Sequence, residues 1–360
     1  MNATPVKRAR LRIGMLPLAD AVPLLVARDM GFFAGQGLDV TLSLEGSWAG
    51  IRDKLAAGML DAAQLLAPMP LAANLGADRL GVPMEAAIVL SRNGSSITVS
   101  NELFLAMGSP PPDPVAAGQA LWRVIEADRV AGRPRRTFAH VFPFSAHHYL
   151  LRDWLDAAGI EPDRDVDVVV IPPPLMLEHL RSGRVDGYCV GAPWGMAAEI
   201  EGVGRRLMPT HLLRMDCADK VLGVTREWAM LNAQTHLSLI AALIEAGRWL
   251  EQADHREQAA QMLVDSRLIA APHESLLRAL TDEGDGVYAP RFVFGVGDSA
   301  KPRHEDARWF LSQMRRWDQV NGPIDVDALV QSSHRLGLYE QAESLARAPA
   351  AGDVVARCLH

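Results

Sequence analysis

The chain has 360 residues, 49% of them apolar and 22% charged, which is enough for two lobes or one large α/β unit and too apolar for a disordered chain. Its formal net charge of -7 argues against a protein that holds nucleic acid through its overall field, because phosphate binding needs a basic face. Three scattered cysteines, Cys189, Cys217 and Cys358, form no CxxC pair and provide neither a disulfide framework nor a thiolate metal site.

Lys7, Arg8 and Arg10 lead directly into the strand-like run Leu11–Leu16, with no apolar export segment before it, and no long apolar run follows. The expectation is a cytoplasmic chain that meets no membrane. A helical pattern covers Ala21–Ala34, followed by a strand at Val40–Leu44 and a helix at Ile51–Ala57. Such alternation reads as βαβ units around a parallel sheet. A second series starts at Thr137–Val141, continues as a helix over Ala146–Ala157 and reaches a strand at Val166–Ile171.

The two series align on each other. Leu55, Gly58, Asp61, Ala67 and Pro68 recur as Leu180, Gly183, Asp186, Ala192 and Pro193, each displaced by 125 residues. Either Gly-x-x-Asp is a common helix-to-strand turn with glycine at C′, or the chain holds two related lobes. Two βαβ lobes facing each other form a crevice at the carboxyl ends of their strands, where open α/β sheets bind ligands.

Beyond residue 226 the pattern turns helical, over His236–Gln252, Arg256–Val264 and Glu274–Leu280 and then over Glu305–Val320 and Val326–Leu336. The expected organisation is one lobe from 10–98 with 222–340, a second from 99–221, and a flexible tail at 341–360.

No GxxxxGK[ST] loop, HExxH, GxSxG or spaced Cys/His set is present. The GxG pattern at Gly295–Ala300 lies among late helices and reads as a loop. His147 and His148 are adjacent on a helix, about 100° apart, so they do not converge on one ion. What remains is three strand-to-helix junctions, each aiming backbone N–H groups at the crevice, an arrangement that favours anions. At the first, Ser47 caps a helix and Trp48 offers a flat face and an indole donor. The second opens the helix of His147 at Ser145. In the third, Gly191-Ala-Pro193-Trp194, Pro193 is expected at the first helical position and Gly191 lets a ligand approach the backbone. Lys220 stands where the second lobe returns to the first. Read singly, Trp48 also suits a core, His147 a core or surface, Gly191 a plain turn and Lys220 the surface.

Together these residues carry a resemblance. The motifs Leu16-Pro-Leu-Ala-Asp20, Gly31-Phe-Phe33, Gly37-Leu-Asp39-Val40, Ser47-Trp48 through Leu55, Leu66-Ala-Pro-Met-Pro70 and Asn93-Gly94 resemble nitrate and bicarbonate binding proteins of the NrtA/CmpA type. Phe142-Pro143, His147, Gly191-Ala-Pro-Trp194 and Lys220 extend it over roughly residues 11–330. The resemblance implies an α/β, type II periplasmic-binding-protein-like fold with the ligand between two lobes, no enzyme and no cofactor. It implies an anion contacted by Trp48, Ser95, His147, Gly191 and Lys220, with Ser95 standing where the transport proteins are expected to carry glutamine.

Phe142–His147 and Cys217–Val224 look closer to the cytoplasmic NasS branch. That likeness implies a nitrate or nitrite sensor that holds a NasT-like ANTAR RNA-binding antiterminator and releases it when the anion binds, without touching nucleic acid itself. The alternative is the substrate-binding subunit of an ABC nitrate/bicarbonate-type transporter. A thiamine-pyrimidine synthase relative would need a cysteine-rich segment, which is absent.

Overall fold

The structure, a computed structural model, describes residues 8–281 and 285–346. Lys7, Cys358 and most of the expected tail lie outside those residues; the part of the tail within them, from Gln341, completes the helix Leu336–Leu345. Ten strands occur among the described residues: β1 (Ala9–Met15), β2 (Leu38–Leu44), β3 (Ala62–Leu66), β4 (Met84–Arg92), β5 (Ser95–Ser100), β6 (Thr137–His140), β7 (Asp167–Val170), β8 (Gly187–Gly191), β9 (Gly204–Pro209) and β10 (Ala218–Thr225). They form two five-stranded sheets, ordered β2-β1-β3-β10-β4 and β7-β6-β8-β5-β9.

In the first sheet β1 runs parallel to β2 and β3, and in the second β6 runs parallel to β7 and β8. These are the βαβ units that the alternating pattern predicts. Each sheet also receives one strand antiparallel to its neighbours, β10 between β3 and β4, and β5 between β8 and β9. The central strands β3 and β8 are buried throughout, so neither shows the in–out alternation of a strand with one face in solvent.

The 125-residue interval is structural. Ile13 pairs with Ala62 and, one interval later, Phe138 pairs with Gly187. The Arg12 N–H donates to Asp61 Oδ2 at 2.7 Å, and the Thr137 N–H donates to Asp186 Oδ2 at 2.8 Å. Asp61 and Asp186 then donate their own N–H groups back to the Arg12 and Thr137 carbonyls. Gly58 and Gly183 share a φ of 68° just past a helix end, a conformation that side chains resist. The turn reading and the repeat reading are therefore both correct.

The chain passes from the first sheet to the second at Asn93-Gly94 and returns between Pro209 and Ala218. Boundaries at 98/99 and 221/222 would cut β5 and β10. They sit too late because membership of a sheet is decided by long-range pairing, which local pattern does not reveal. The helix expected over Ala21–Ala34 is two, Val22–Asp29 and Phe32–Gly35, divided at Gly31 with φ 76°. The late helices fall close to their expected positions, at Ala233–Leu250, Ala253–Ser266, His273–Thr281, His304–Arg316 and Val326–Ser333.

The late helices belong to the first sheet's side, and Arg92 ties them to it. Its guanidinium, fully buried at the end of β4, donates to the Ser299, Asp216 and Lys301 carbonyls and to Asp306 Oδ2 at 2.9 Å. Removing one partner of such a buried pair costs about 3–5 kcal/mol.

Candidate functional site

The five residues singled out come together where the Leu18–Ala21 turn of the first sheet's side meets the end of β8. Ala19 donates its N–H to the Ala192 carbonyl across this boundary at 2.9 Å. Ser47 caps the helix Trp48–Ala56 by accepting the Gly50 N–H, which sets the Trp48 side chain inward and buried at the first helical position. Ser145 does the same for the helix Ala146–Ala157, accepting the His148 N–H at 3.0 Å, and buries His147 in the first turn. Pro193, expected as a first helical residue, is instead the cap of the helix Trp194–Ile200, which starts one residue later.

Ser95 begins β5 directly after Gly94, whose φ is 88° and where a Cβ would stand 1.8 Å from the Phe292 ring. Only glycine fits there. Gly191 lies opposite Ser95 in the β5–β8 pairing, and a Cβ on it would stand 3.2 Å from Asp20 Oδ2. Lys220 lies on β10 with its side chain fully buried and its ammonium 5.6 Å from the Trp48 ring centroid, within cation–π range.

Two acids that the sequence reading passed over complete the cluster. Lys220 Nζ lies 2.9 Å from Asp20 Oδ2 and 2.7 Å from Asp219 Oδ2, although neither approach has the angle of a proper hydrogen bond. Asp219 Oδ2 accepts from Ser95 Oγ at 3.0 Å, and Ser95 Oγ is 2.9 Å from His147 Nε2. Because the serine proton goes to Asp219, this network assigns the ring proton to Nε2, which donates to Ser95. Asp20 Oδ1 accepts from Gln64 Nε2 at 2.6 Å, and Gln64 is itself fixed by the Leu16 N–H on its Oε1.

Burial raises the Asp20 carboxyl to about 6, with Lys220 opposing the rise and Asp219 adding to it. Burial also disfavours the charged forms of Asp219 and Lys220. Attraction outweighs it: Lys220 holds the Asp219 carboxyl below its ordinary range, and Asp20 followed by Asp219 holds the Lys220 ammonium above it. Burial pushes the His147 ring down to about 4, which keeps it neutral near pH 7.

Five buried polar atoms in this cluster make no well-angled hydrogen bond: Trp48 Nε1, Asp219 Oδ1 and His147 Nδ1, which have no partner, and Lys220 Nζ and Asp20 Oδ2, which meet each other only as an ion pair. Leaving a group such as the first three unpaired costs about 1–3 kcal/mol, and a concentration of them in one place marks a site suited to something polar. Ser95, His147 and Asp219 have the composition of a hydrolase triad but not its geometry. The carboxylate holds the serine proton instead of orienting the far ring nitrogen, so His147 has no means of activating Ser95 as a nucleophile. His148 turns away from His147 and meets His140 Nε2 at 3.1 Å. Among the described residues no cluster of His, Cys, Asp or Glu suits a metal ion, and no helix is long and apolar enough to cross a membrane.

Residues 4–264 match the NMT1-like family. The chain belongs to that family. An NMT1-like assignment agrees with its likeness to the nitrate/nitrite binding protein NrtA of Synechococcus elongatus, 30% identical over 92% of this chain and 76% of that protein. The bicarbonate transport ATP-binding protein CmpC of a Synechocystis strain is 32% identical over 94% of this chain, which spans about half of CmpC. The crystal structure of the periplasmic nitrate-binding protein NrtA from Synechocystis superposes with a TM-score of 0.85, at 28% identity, covering 97% of this chain and 91% of that one. The fold is the type II periplasmic-binding-protein fold, as the resemblance implied. Both NrtA relatives are named for binding nitrate, and one of them for nitrite as well.

Proposed function

We propose that the chain binds nitrate or nitrite between its two sheets, through Trp48, Ser95, His147, Gly191 and Lys220, without a cofactor and without chemical conversion. The observation that carries this reading is the buried Trp48 indole N–H, which lacks a hydrogen-bond partner, beside the buried Lys220 ammonium, 5.6 Å from the Trp48 ring. A planar, singly charged oxyanion suits a point charge, a ring donor and a flat apolar neighbour. His147 serves as a neutral ring that positions Ser95, and Gly191 leaves the space a side chain would fill.

The site draws Trp48 and Lys220 from the first sheet's side and Ser95, His147 and Gly191 from the second's. An anion touching both sides favours closure by its differential affinity. We read the protein as a cytoplasmic sensor: closure by nitrate or nitrite releases a NasT-like ANTAR RNA-binding antiterminator that prefers the open form, in line with the NasS-like segments at Phe142–His147 and Cys217–Val224. The transport wording in the names of relatives such as CmpC favours a second reading, the substrate-binding subunit of an ABC importer. Size-exclusion chromatography of the chain with the ANTAR protein separates the two. The sensor reading requires a complex that dissociates on adding nitrate or nitrite and persists in Trp48→Ala. If no complex forms, or saturating anion leaves it intact, transport is the better reading.

A further inference from the structure

Asp20 belongs to no function described so far, yet it occupies the centre of the cluster. It is fully buried in the turn before the helix Val22–Asp29, and its two oxygens differ. Oδ1 is committed, because Gln64 Nε2 donates to it and Gln64 cannot turn round while its Oε1 holds the Leu16 N–H. Oδ2 has no hydrogen-bond partner, lies 2.9 Å from Lys220 Nζ, and is the nearest atom to where a Gly191 Cβ would stand. A ligand seated on Lys220 and Gly191 therefore meets Asp20 Oδ2.

Of those five atoms, the network leaves three as acceptors: Asp20 Oδ2, Asp219 Oδ1 and His147 Nδ1. Nitrate and nitrite offer acceptors only. Bringing such an anion against an ionised Asp20 sets like charges together in a dry pocket, which is strongly unfavourable. We propose that Asp20 is a ligand-binding residue that acts as the neutral acid: each nitrate or nitrite enters together with one proton from solvent, carried on Asp20 Oδ2, whose O–H then donates to the anion. This rests on the functional reading above and adds to it a proton-coupled mode of binding.

The charges facing Asp20 act in opposite directions: the Lys220 ammonium opposes a proton on Oδ2, Asp219 favours it, and an anion seated on Lys220 would offset the ammonium. Lys220 and Asp219 reach it from β10, and His147 touches Asp219 from its helix. The charged groups on the other neighbouring elements are engaged elsewhere, Glu85 by Arg335, Arg92 by Asp306, Arg278 by Asp285 and Glu274, and Arg28 by Asp29. With its carboxyl already raised to about 6, Asp20 gains a proton more readily than Asp219 or His147. The sign follows: below about pH 6 free Asp20 already holds its proton and affinity is flat, while above it affinity falls by up to about tenfold per pH unit.

Isothermal titration calorimetry of the full chain with sodium nitrate at pH 8, repeated in buffers of different ionisation enthalpy, counts the protons directly. The expected uptake is close to one per anion in the parent and close to zero at pH 5.5. Asp20→Asn, whose amide donates without a proton, is expected to take up none and to bind nitrate about 10- to 100-fold more tightly than the parent at pH 8. Binding by the parent with no proton uptake at pH 8 overturns the proposal even if the variant does not fold. Uptake that persists in Asp20→Asn also overturns it and assigns the proton to His147 or Asp219. Failure of the parent to bind nitrate or nitrite at any pH overturns the functional reading itself.

Discussion

The Tyr149 hydroxyl donates a 2.7 Å hydrogen bond to Gln319 Oε1, joining the helix that carries His147 to the segment after the helix His304–Arg316. Gln319 Nε2 donates to the Pro143 carbonyl at 2.9 Å, while Gln313 and Arg316 hold Asp153 at 2.8 and 3.0 Å. Asp306, at the other end of the late helix, is held by Arg92 of the first sheet. That helix and the segment after it therefore tie the first sheet's side to the helix that carries His147.

Loosening that tie should shift the molecule toward opening. Tyr149→Phe removes a bond worth about 1 kcal/mol and leaves Gln319 Oε1 without its donor, so anion affinity is expected to fall about threefold to tenfold. Amide exchange over residues 304–319 should quicken in parallel. Unchanged affinity and exchange would show that the contact does not couple to the cleft.

Lys220 is both the expected anion partner and the counter-charge of two buried acids. Lys220→Met should abolish binding and also destabilise the fold by about 3–5 kcal/mol, because Asp20 and Asp219 lose compensation. Denaturant unfolding together with calorimetry checks both. His147→Ala should weaken binding by the same factor at pH 6 and pH 8, since the ring, pushed down to about 4, is neutral at both. A larger loss at pH 6 would mean that an imidazolium contacts the anion.

Six histidines are buried among the described residues, and burial lowers the pKa of every one of them, which makes acid stability sensitive to pH. Burial pushes His140 and His334 down to about 3 and His147 and His236 to about 4, whereas unfolded histidine takes up a proton below about 6.5. The unfolded state therefore binds more protons as pH falls, and each ring lowers stability by up to about 1.4 kcal/mol per pH unit between about 6.5 and 4. Asp20, raised to about 6, acts in the opposite direction and offsets part of this. Denaturant midpoints between pH 7 and 4.5 should drop steeply, and His334→Asn, which is not among the candidate site residues, should flatten the slope. A pH-independent midpoint would contradict the burial of these rings.

Much of this architecture was legible because it is repeated. The matched Gly-x-x-Asp segments announced two related lobes, and Ser47 and Ser145 announced the helix starts that place Trp48 and His147. Asp20 and Asp219 escaped notice because an isolated acid in an apolar segment carries no periodic signal, and its role arises from Lys220, 200 and 1 residues away in sequence. The passages between sheets were misplaced for a related reason. β5 and β10 join their sheets through partners far along the chain, and a local turn such as Asn93-Gly94 does not tell which sheet the next strand enters.

The repeated aspartates offer a test of that symmetry. Asp61→Ala and Asp186→Ala each free a strand N–H and are expected to cost about 1–2 kcal/mol. Asp186→Ala should cost the more, because Asp186 also pairs with Arg136 at 2.7 Å, whereas Asp61 accepts from the Trp228 indole at 3.1 Å. Amide exchange should rise first in β1 for the former and in β6 for the latter; a uniform rise in both variants would deny the two sheets separate local stability.

The most direct measurement is calorimetric titration of the chain with nitrate, nitrite, bicarbonate and sulfate, alongside Trp48→Ala and Lys220→Met. A small-anion site built on Lys220 and Trp48 requires one nitrate or nitrite per chain in the parent, weaker binding in Trp48→Ala, none in Lys220→Met, and no preference for doubly charged sulfate. Absence of heat and of thermal stabilisation with nitrate and nitrite, or binding unaltered by loss of Lys220, would refute it.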